Sequence, residues 1–542
     1  MKKSIVICFL LLLLFNIFNH AQTVQTRPKL VVGIVIDQMR FDYLYRFDSL
    51  YSKNGFKKLI DNGSNFTYAH YNYVPTFTAP GHASIYTGTT PYFHGIIANS
   101  WYDKVSRQSI YCTSDSSVKT VGTSDKSGQE SPGRLLATTI TDQLKLATNG
   151  KSKVISISIK DRASVLPGGH MPDVAYWYDS KTGNFISSTY YMKHLPRWVN
   201  DFNKRKLAEK YMSGSWQLSY PLSEYGNTLP DQQPFEIDHF KEKSSVFPHS
   251  FKNIPEYRKP ALVLYTPYGN QILFDFVKSA IENEQIGKGK YTDFLAISFS
   301  STDYIGHAYG PNSVEIEDTY IKLDKTIAEL LKVLNNQVGE GNYLLFFTAD
   351  HGVDEAPIYL KERNISSGWF NPDVMKDSLQ SFSVATFKNS GIIEDLSNKQ
   401  IFLNNKIIRE LKLNPSDVME AYVKYIRETF PMVSQIYTRD ELEKLTAFRN
   451  SPNLILNGFN PVRSGDIAFE LQPGYLYGGG GDATTHGAIY NYDTHVPLIF
   501  YGWHIPKQNV ATPVFIVDIA ATVASLLNIQ EPSACIGIPI IK

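Results

Sequence analysis

Six side chains able to hold a metal ion are scattered along the chain: Asp37, Asp303, His307, Asp350, His351 and His486. Three carboxylates and three imidazoles suit zinc, which takes oxygen and nitrogen ligands at low coordination number. Asp303 and His307 are four residues apart, so one helical turn puts them on the same side. Asp350 and His351 are adjacent, and on an irregular loop they can grip one ion or two. Each piece alone has a plainer reading. Asp37 also looks like a helix cap, and an Asp-His pair is common in surfaces and cores. The joint occurrence, with Gly352 and Gly487 each following a histidine, is far more specific.

A nucleophile is offered by Thr76-Phe-Thr78-Ala-Pro80-Gly-His82. Pro80 fits the first turn of a helix, which places Thr78 at or just before the helix start. Free backbone N–H groups and the positive helix end favour a bound phosphate there. The same position suits a simple N-cap. A threonine hydroxyl is a poor nucleophile near neutrality and needs a metal or a base to take its proton.

These residues are far apart in sequence, so a common framework must bring them together. Short apolar runs supply it. Leu30–Ile36 ends at Asp37, Val154–Ile159 at Lys160, Asp161 and Arg162, Phe294–Phe299 shortly before Asp303, and Tyr343–Phe347 shortly before Asp350. A fifth run, Val496–Tyr501, follows His486. Between them lie helical patterns at 133–148, 270–283, about 312–335 and Asp518–Leu527. In the third, Ile316, Tyr320, Leu323, Ile327, Leu330 and Leu334 recur at three- and four-residue steps. Buried strands alternating with amphipathic helices predict an α/β fold, a mainly parallel sheet with helices on both faces. Ligands of such sheets gather outside the carboxyl ends of the strands, which gives all the polar residues above one shared location.

Two stretches break this rhythm, about 170–265 and about 355–480, the second with its own helix beginning at Pro415-Ser416-Asp417. Both read as insertions, either walling the site or elaborating the surface. Gly478–Gly481 has no following Lys-Ser/Thr and is not a phosphate-binding P-loop.

Residues 1–21 have the make-up of a secretion signal, with Lys2 and Lys3 before an apolar Ile5–Phe15 and a cleavage point at His20-Ala21-Gln22. The alternative is an uncleaved anchor, for which the apolar run is short. The mature chain, 22–542, is expected in the periplasm or outside the cell with no membrane attachment. Opposite charges nearly cancel, 53 Lys+Arg against 52 Asp+Glu, which argues against a nucleic-acid partner. Apolar content of 43% against 19% charged excludes a disordered chain. Beyond the signal only Cys112 and Cys535 remain, enough for one disulfide at most.

Asp37, Thr78-Ala-Pro-Gly-His82, Asp303-x-x-Gly-His307, Asp350-His351-Gly352 and Thr485-His486-Gly487 together resemble the alkaline phosphatase superfamily, closest to the flavobacterial phosphate-irrepressible (PafA-type) enzymes. The motifs span nearly the whole mature chain. The resemblance implies two zinc ions, one held by Asp303, His307 and His486, the other by Asp37, Asp350 and His351 with the Thr78 hydroxyl. It implies a phosphothreonine intermediate on Thr78, an Asn99 that donates to a phosphoryl oxygen, and a Lys160-x-Arg162 pair that favours dianionic phosphate monoesters over diesters. Small phosphate monoesters are then the expected substrates, with an alkaline pH optimum. Nucleotide pyrophosphatase or phosphodiesterase activity is the neighbouring alternative, and Lys160 and Arg162 are the discriminating features. A sulfatase would need a Cys or Ser at position 78. A secreted binding protein on an inactive scaffold would have lost a ligand or the nucleophile. His82, His94, His170 and His495 are left without a ligand role, His495 being structural or an orienting partner.

Overall fold

The computed structural model describes residues 27–242 and 244–541. The expected signal segment lies outside the described residues.

Ten strands form the central sheet: β1 Leu30–Ile36, β2 Ser64–Phe66, β3 Thr120–Val121, β4 Val154–Ser158, β5 Val174–Asp179, β6 Asn184–Ser188, β7 Asp293–Phe299, β8 Tyr343–Ala349, β9 Leu498–Gly502 and β10 Gln508–Val510. They lie in the order β10-β2-β9-β8-β1-β7-β4-β5-β6-β3. The five central strands, β8, β1, β7, β4 and β5, run parallel, and antiparallel pairs extend both sides. Every residue of β1, β7 and β8 is buried, as continuous apolar strands covered on both faces should be.

The main helices are α1 Thr78–Thr87, α2 Ile140–Ala147, α3 Arg162–Gly168, α4 Pro267–Glu284, α5 Ser301–Tyr309, α6 Val314–Gln337, α7 Pro415–Thr429 and α8 Asp518–Leu527. α1, α2, α3 and α8 pack with one another, and α4, α5 and α6 form a second group. The predicted α6 stripe is buried along its length, from Ile316 to Leu334. The helix expected at 133–148 begins only at Ile140. A capping box explains this, because the Thr139 hydroxyl accepts from the Asp142 N–H and the Asp142 carboxylate accepts from the Thr139 N–H.

The expected insertion at about 170–265 starts inside the sheet rather than outside it. Val174–Asp179 pairs in parallel with β4, and Asn184–Ser188 follows as its antiparallel neighbour. Their aromatic residues blur the alternation that would have marked them as strands. The 355–480 stretch holds a second, smaller sheet in the order Ile393–Ser397, Gln400–Leu403, Ile467–Leu471, Val433–Thr438. α7 and the helix Pro372–Phe387 pack onto it over a core of its own, including Met375, Leu379, Tyr422 and Ile426. Cys112 and Cys535 are both free thiols.

Candidate active site

The parallel register sets the depth of the site. Ile36 lies opposite both Phe299 and Ala349, so Asp37 and Asp350 leave neighbouring strands at the same level. Asp303 comes from the first turn of α5, one turn before His307, and its Oδ1 is 3.2 Å from His307 Nε2. His486 arrives on the loop before β9 and places Nε2 3.6 Å from the same Oδ1. His351 Nε2 lies 3.5 Å from Asp37 Oδ1 and 3.6 Å from Asp350 Oδ2.

All three imidazoles are held the same way. His307 Nδ1–H donates to the Thr484 carbonyl at 2.8 Å, His351 Nδ1–H to the Gly352 carbonyl at 2.9 Å, and His486 Nδ1–H to the Thr76 carbonyl at 2.7 Å. A backbone carbonyl only accepts, so each Nδ1 carries a proton and each Nε2 faces inward. The rings of His351 and His486 stack 3.5 Å apart. Burial drives His351 down to about 3, and burial with the neighbouring His351 holds His486 well below the ordinary range. His307 differs. Burial pushes it down, but the Asp303 carboxylate outweighs this and lifts it to about 9.

Whether these side chains suit a metal is answered by their unmet valences. Asp37 Oδ1, Asp350 Oδ2 and His351 Nε2 are buried without a hydrogen-bond partner, and Asp37 Oδ2 meets only the Lys160 ammonium. Burial, reinforced by the Asp37 charge, pushes the Asp350 carboxyl well above its usual range. Leaving such groups unpaired is costly, and a divalent cation relieves it. Two groups of ligand atoms converge closely enough to share an ion: Asp303 with His307 and His486, and Asp37 with Asp303 and His351. Asp303 thus stands in both. Asp350 falls outside the tighter second group, although its Oδ2 remains beside His351.

Thr78 is the first residue of α1, buried, and the cap position before it is taken by Phe77, which makes no side-chain capping bond. α1 is pressed against the ligand strand through Gly81, where a Cβ would lie 2.4 Å from the Asp350 carbonyl oxygen. His82, without a role in the sequence reading, donates or accepts at both nitrogens. Nδ1 meets the Thr78 carbonyl at 2.8 Å and Nε2 the Ser298 hydroxyl at 2.9 Å. Asn99 accepts the Ala79 N–H through Oδ1 at 2.9 Å, so its amide NH2 remains a donor beside the helix start.

Lys160 is buried, with Nζ 2.8 Å from Asp37 Oδ2 and 2.6 Å from Asp303 Oδ2. Burial opposes its charge, but the two carboxylates outweigh that and raise its pKa. Arg162 begins α3, its Nη1 3.1 Å from the Tyr111 hydroxyl, which in turn donates to Asp161.

Two residues were missed in the sequence. Gln38 donates its backbone N–H to Asp350 Oδ1 at 3.1 Å and its side-chain amide to Asp303 Oδ1 at 2.9 Å. It explains the glycine in Asp303-x-x-Gly-His307, because a Cβ on Gly306 would lie 1.8 Å from Gln38 Oε1. Asp493 accepts the N–H groups of Gly487 and Ala488 at 2.7 and 2.6 Å, fixing the loop that bears His486. Neither has a type or spacing that marks it. His94, His170 and His495 are structural. His94 bonds Ser84 and the Ile96 N–H, His170 bonds Asp142, and His495 bonds the Thr67 carbonyl while stacking on Phe41 and His70.

The fold and this edge of the sheet are those of an α/β hydrolase with candidate metal-binding groups, and the chain belongs to the type I phosphodiesterase / nucleotide pyrophosphatase family, whose model matches residues 31–489. The resemblance drawn from the motifs is confirmed more narrowly. The chain is 42% identical over 515 residues to alkaline phosphatase PafA of Elizabethkingia meningoseptica, covering 95% of this chain and 94% of the relative. It is 44% identical over 519 residues to alkaline phosphatase PhoV of Synechococcus elongatus, covering 95% and 92%. A Myroides odoratus protein named a calcium-transporting ATPase is 42% identical over 517 residues, covering 95% and 94%. The crystal structure of wild-type PafA matches with a TM-score of 0.91, covering 95% of this chain and 98% of that one. A second PafA structure carries substitutions at one threonine, one asparagine, one lysine and one arginine.

Proposed function

We propose that the chain is a zinc-dependent phosphomonoesterase that acts outside the cytoplasm and releases inorganic phosphate by way of Thr78. One observation carries the reading: three fixed imidazole Nε2 atoms and the unpaired oxygens of Asp37 and Asp350 converge at one sheet edge beside the start of α1. The alkaline phosphatase activity named for PafA and PhoV supports it. So does the PafA variant, whose four substituted residue types recur here, in the same chain order, as Thr78, Asn99, Lys160 and Arg162. No described helix is long and apolar enough to cross a membrane.

Asp303, His307 and His486 would hold one zinc, and Asp37, Asp350, His351 and the Thr78 hydroxyl the other, with Asp303 close to both. Bound zinc supplies Lewis-acid chemistry, easing loss of a hydroxyl proton and neutralising charge on oxygen. Thr78 Oγ, having lost its proton, attacks phosphorus, the Oγ–P bond forms, and the bond to the leaving oxygen breaks. Water then attacks the phosphothreonine, cleaves Oγ–P and restores the threonine. Asn99 donates its free amide to a phosphoryl oxygen, its Oδ1 anchored by the Ala79 N–H. Arg162, positioned by Tyr111 and Asp161, and Lys160, already among the ligand carboxylates, add positive charge. A monoester presents a dianionic group, which gains more from two cations than a diester with one oxygen blocked.

The test is kcat/KM of the zinc-loaded mature protein on an aryl phosphate monoester and the matching methyl aryl diester. A large monoester preference that collapses in Lys160→Ala/Arg162→Ala is expected, with a monoester loss of about 10²–10³-fold. The family model is named for phosphodiesterases, so a diester preference would move the enzyme to that branch while keeping Thr78 and the ligands.

A further inference from the structure

One turn of the accessory unit at 355–480 reaches two loops of the active site. Its strands Ile393–Ser397 and Gln400–Leu403 pair antiparallel, closed by Asn398 and Lys399. Both have left-handed backbone, with φ of 52° and 59°. Paired left-handed residues are what a tight hairpin needs, and asparagine and glycine adopt them most readily. Lys399 is a poor choice for the turn itself, and its side chain is buried rather than solvated.

Each turn residue reaches a loop that carries a site residue. Lys399 Nζ donates to the Gly487 carbonyl at 2.6 Å, immediately after His486. The same ammonium is held by both oxygens of the buried Glu470 at 2.6 and 2.7 Å. Asp493 grips the Ala488 N–H at the other end of the same peptide, so this peptide is fixed on both sides, from the sheet domain and from the accessory unit. Only glycine fits at position 487, since its φ is 114° and a Cβ would lie 2.5 Å from Phe77 of the Thr78 segment. Asn398 Nδ2 donates to the Ser100 carbonyl at 2.8 Å, immediately after Asn99.

We propose that the Asn398-Lys399 turn is a positioning element, Lys399 holding the His486 loop for metal binding and Asn398 holding the Asn99 loop for the phosphoryl group. The accessory unit is thereby part of the site's geometry and not surface elaboration. This rests on the functional reading above. Hydrogen bonds that orient ligands in this indirect way are worth about 10–100-fold in metal affinity or activity.

Two variants of the mature protein test it. Lys399→Met/Glu470→Gln removes both buried charges together, so neither is stranded. Asn398→Gly removes the amide, keeps the left-handed turn and touches no buried charge. Zinc retention against a chelator, kcat and KM on an aryl phosphate, inhibition by inorganic phosphate, and Tm are measured for each. The double variant is expected to lose zinc about 10–100-fold more readily, with kcat partly restored by excess zinc. Asn398→Gly is expected to keep wild-type zinc retention while KM and the phosphate inhibition constant rise several-fold. Lys376→Met, which breaks an ion pair with Asp395 elsewhere in the unit, is the control and is expected to change Tm alone. Wild-type zinc retention in the double variant, or unchanged KM and phosphate inhibition in Asn398→Gly, overturns the corresponding half of the proposal. Should the double variant not fold, Asn398→Gly decides whether the turn acts on the site. A wild-type protein that neither binds zinc nor hydrolyses the ester overturns the functional reading instead.

Discussion

Two groups of buried carboxylates occupy the same domain and are treated oppositely by the fold. Along α6, Asp324 accepts the N–H groups of Ser52 and Phe56 at 2.8 and 2.7 Å. Asp318 accepts from Trp216 Nε1, the Ser219 N–H and the Tyr225 hydroxyl, and Glu315 pairs with His249. Each of these acids staples a separate segment onto the helix. At the carboxyl edge of the sheet, Asp37 and Asp350 keep oxygens with no hydrogen-bond donor. Burial alone does not tell the groups apart, since both are essentially inaccessible. An unmet oxygen alone does not separate them either, since Glu315 Oε2 and both Glu317 oxygens on α6 also lack a partner; what sets the sheet edge apart is that its carboxylates converge with several imidazoles closely enough to share a cation.

The largest effect should come from Thr78→Ala, which removes the nucleophile and its hydroxyl ligand but leaves the carboxylate and imidazole ligands in place. Loss of a nucleophile typically costs of order 10⁴–10⁶ in kcat, and zinc content is expected to stay at the wild-type level. Near-wild-type turnover would end the phosphothreonine reading. Next is Asp350→Asn. Its amide oxygen still accepts from Gln38, but one anionic ligand is gone, and several kcal/mol of charge stabilisation correspond to about 10²–10⁴ in kcat/KM. Because burial and Asp37 oppose ionisation of Asp350, the metal-free variant should melt no lower than the metal-free wild type. A fall of several degrees would place Asp350 with the structural acids.

Asp324→Ala sharpens the contrast from the other side. It strands two buried N–H donors, at about 1–3 kcal/mol each, so Tm should drop by several degrees. Zinc content and kcat of the folded fraction should not change. If zinc is lost as well, the two groups of acids are not independent.

How far these distinctions were legible depends on what each residue signals locally. The strands ending at Asp37, Lys160 and Asp350 are continuous apolar runs, and their parallel packing made one shared edge a direct consequence. The Asp303–His307 pair needed only helical spacing. The α6 acids carried no such signal, because a helix pattern reports apolar positions and says nothing of a buried Asp318 whose partners, Trp216 and Tyr225, come from a region of weak periodicity. Gln38, Asp493 and Lys399 were illegible for a related reason. Each acts through backbone groups or through residues far away in sequence. Sequence reading therefore found the groups that converge at the sheet edge and missed those that hold them.

The smallest effect tests an α6 staple by pH. His249 Nδ1 meets Glu242 at 2.8 Å and Nε2 meets Glu315 at 3.0 Å, with Glu236 and Asp231 near enough to act on the same charge. Burial disfavours the imidazolium, but the hydrogen bonds to Glu242 and Glu315 outweigh it and raise His249 to about 9. A group raised in the folded state stabilises fully below its unfolded value, roughly 6.5, and that contribution is lost as pH climbs through about 9. Glu236, raised by burial to about 8, acts in the same direction, since its ionisation costs more in the fold than in the unfolded chain. Tm should therefore fall between pH 6.5 and 9.5. His249→Gln should begin lower, by about 1–3 kcal/mol, and fall less over that window, while zinc content and kcat at any one pH stay unchanged. An equal slope in both proteins would mean that His249 is neutral in the fold and that Glu315 is satisfied some other way. The expected slope would instead show a staple that loosens as pH rises toward the alkaline conditions expected to favour the site.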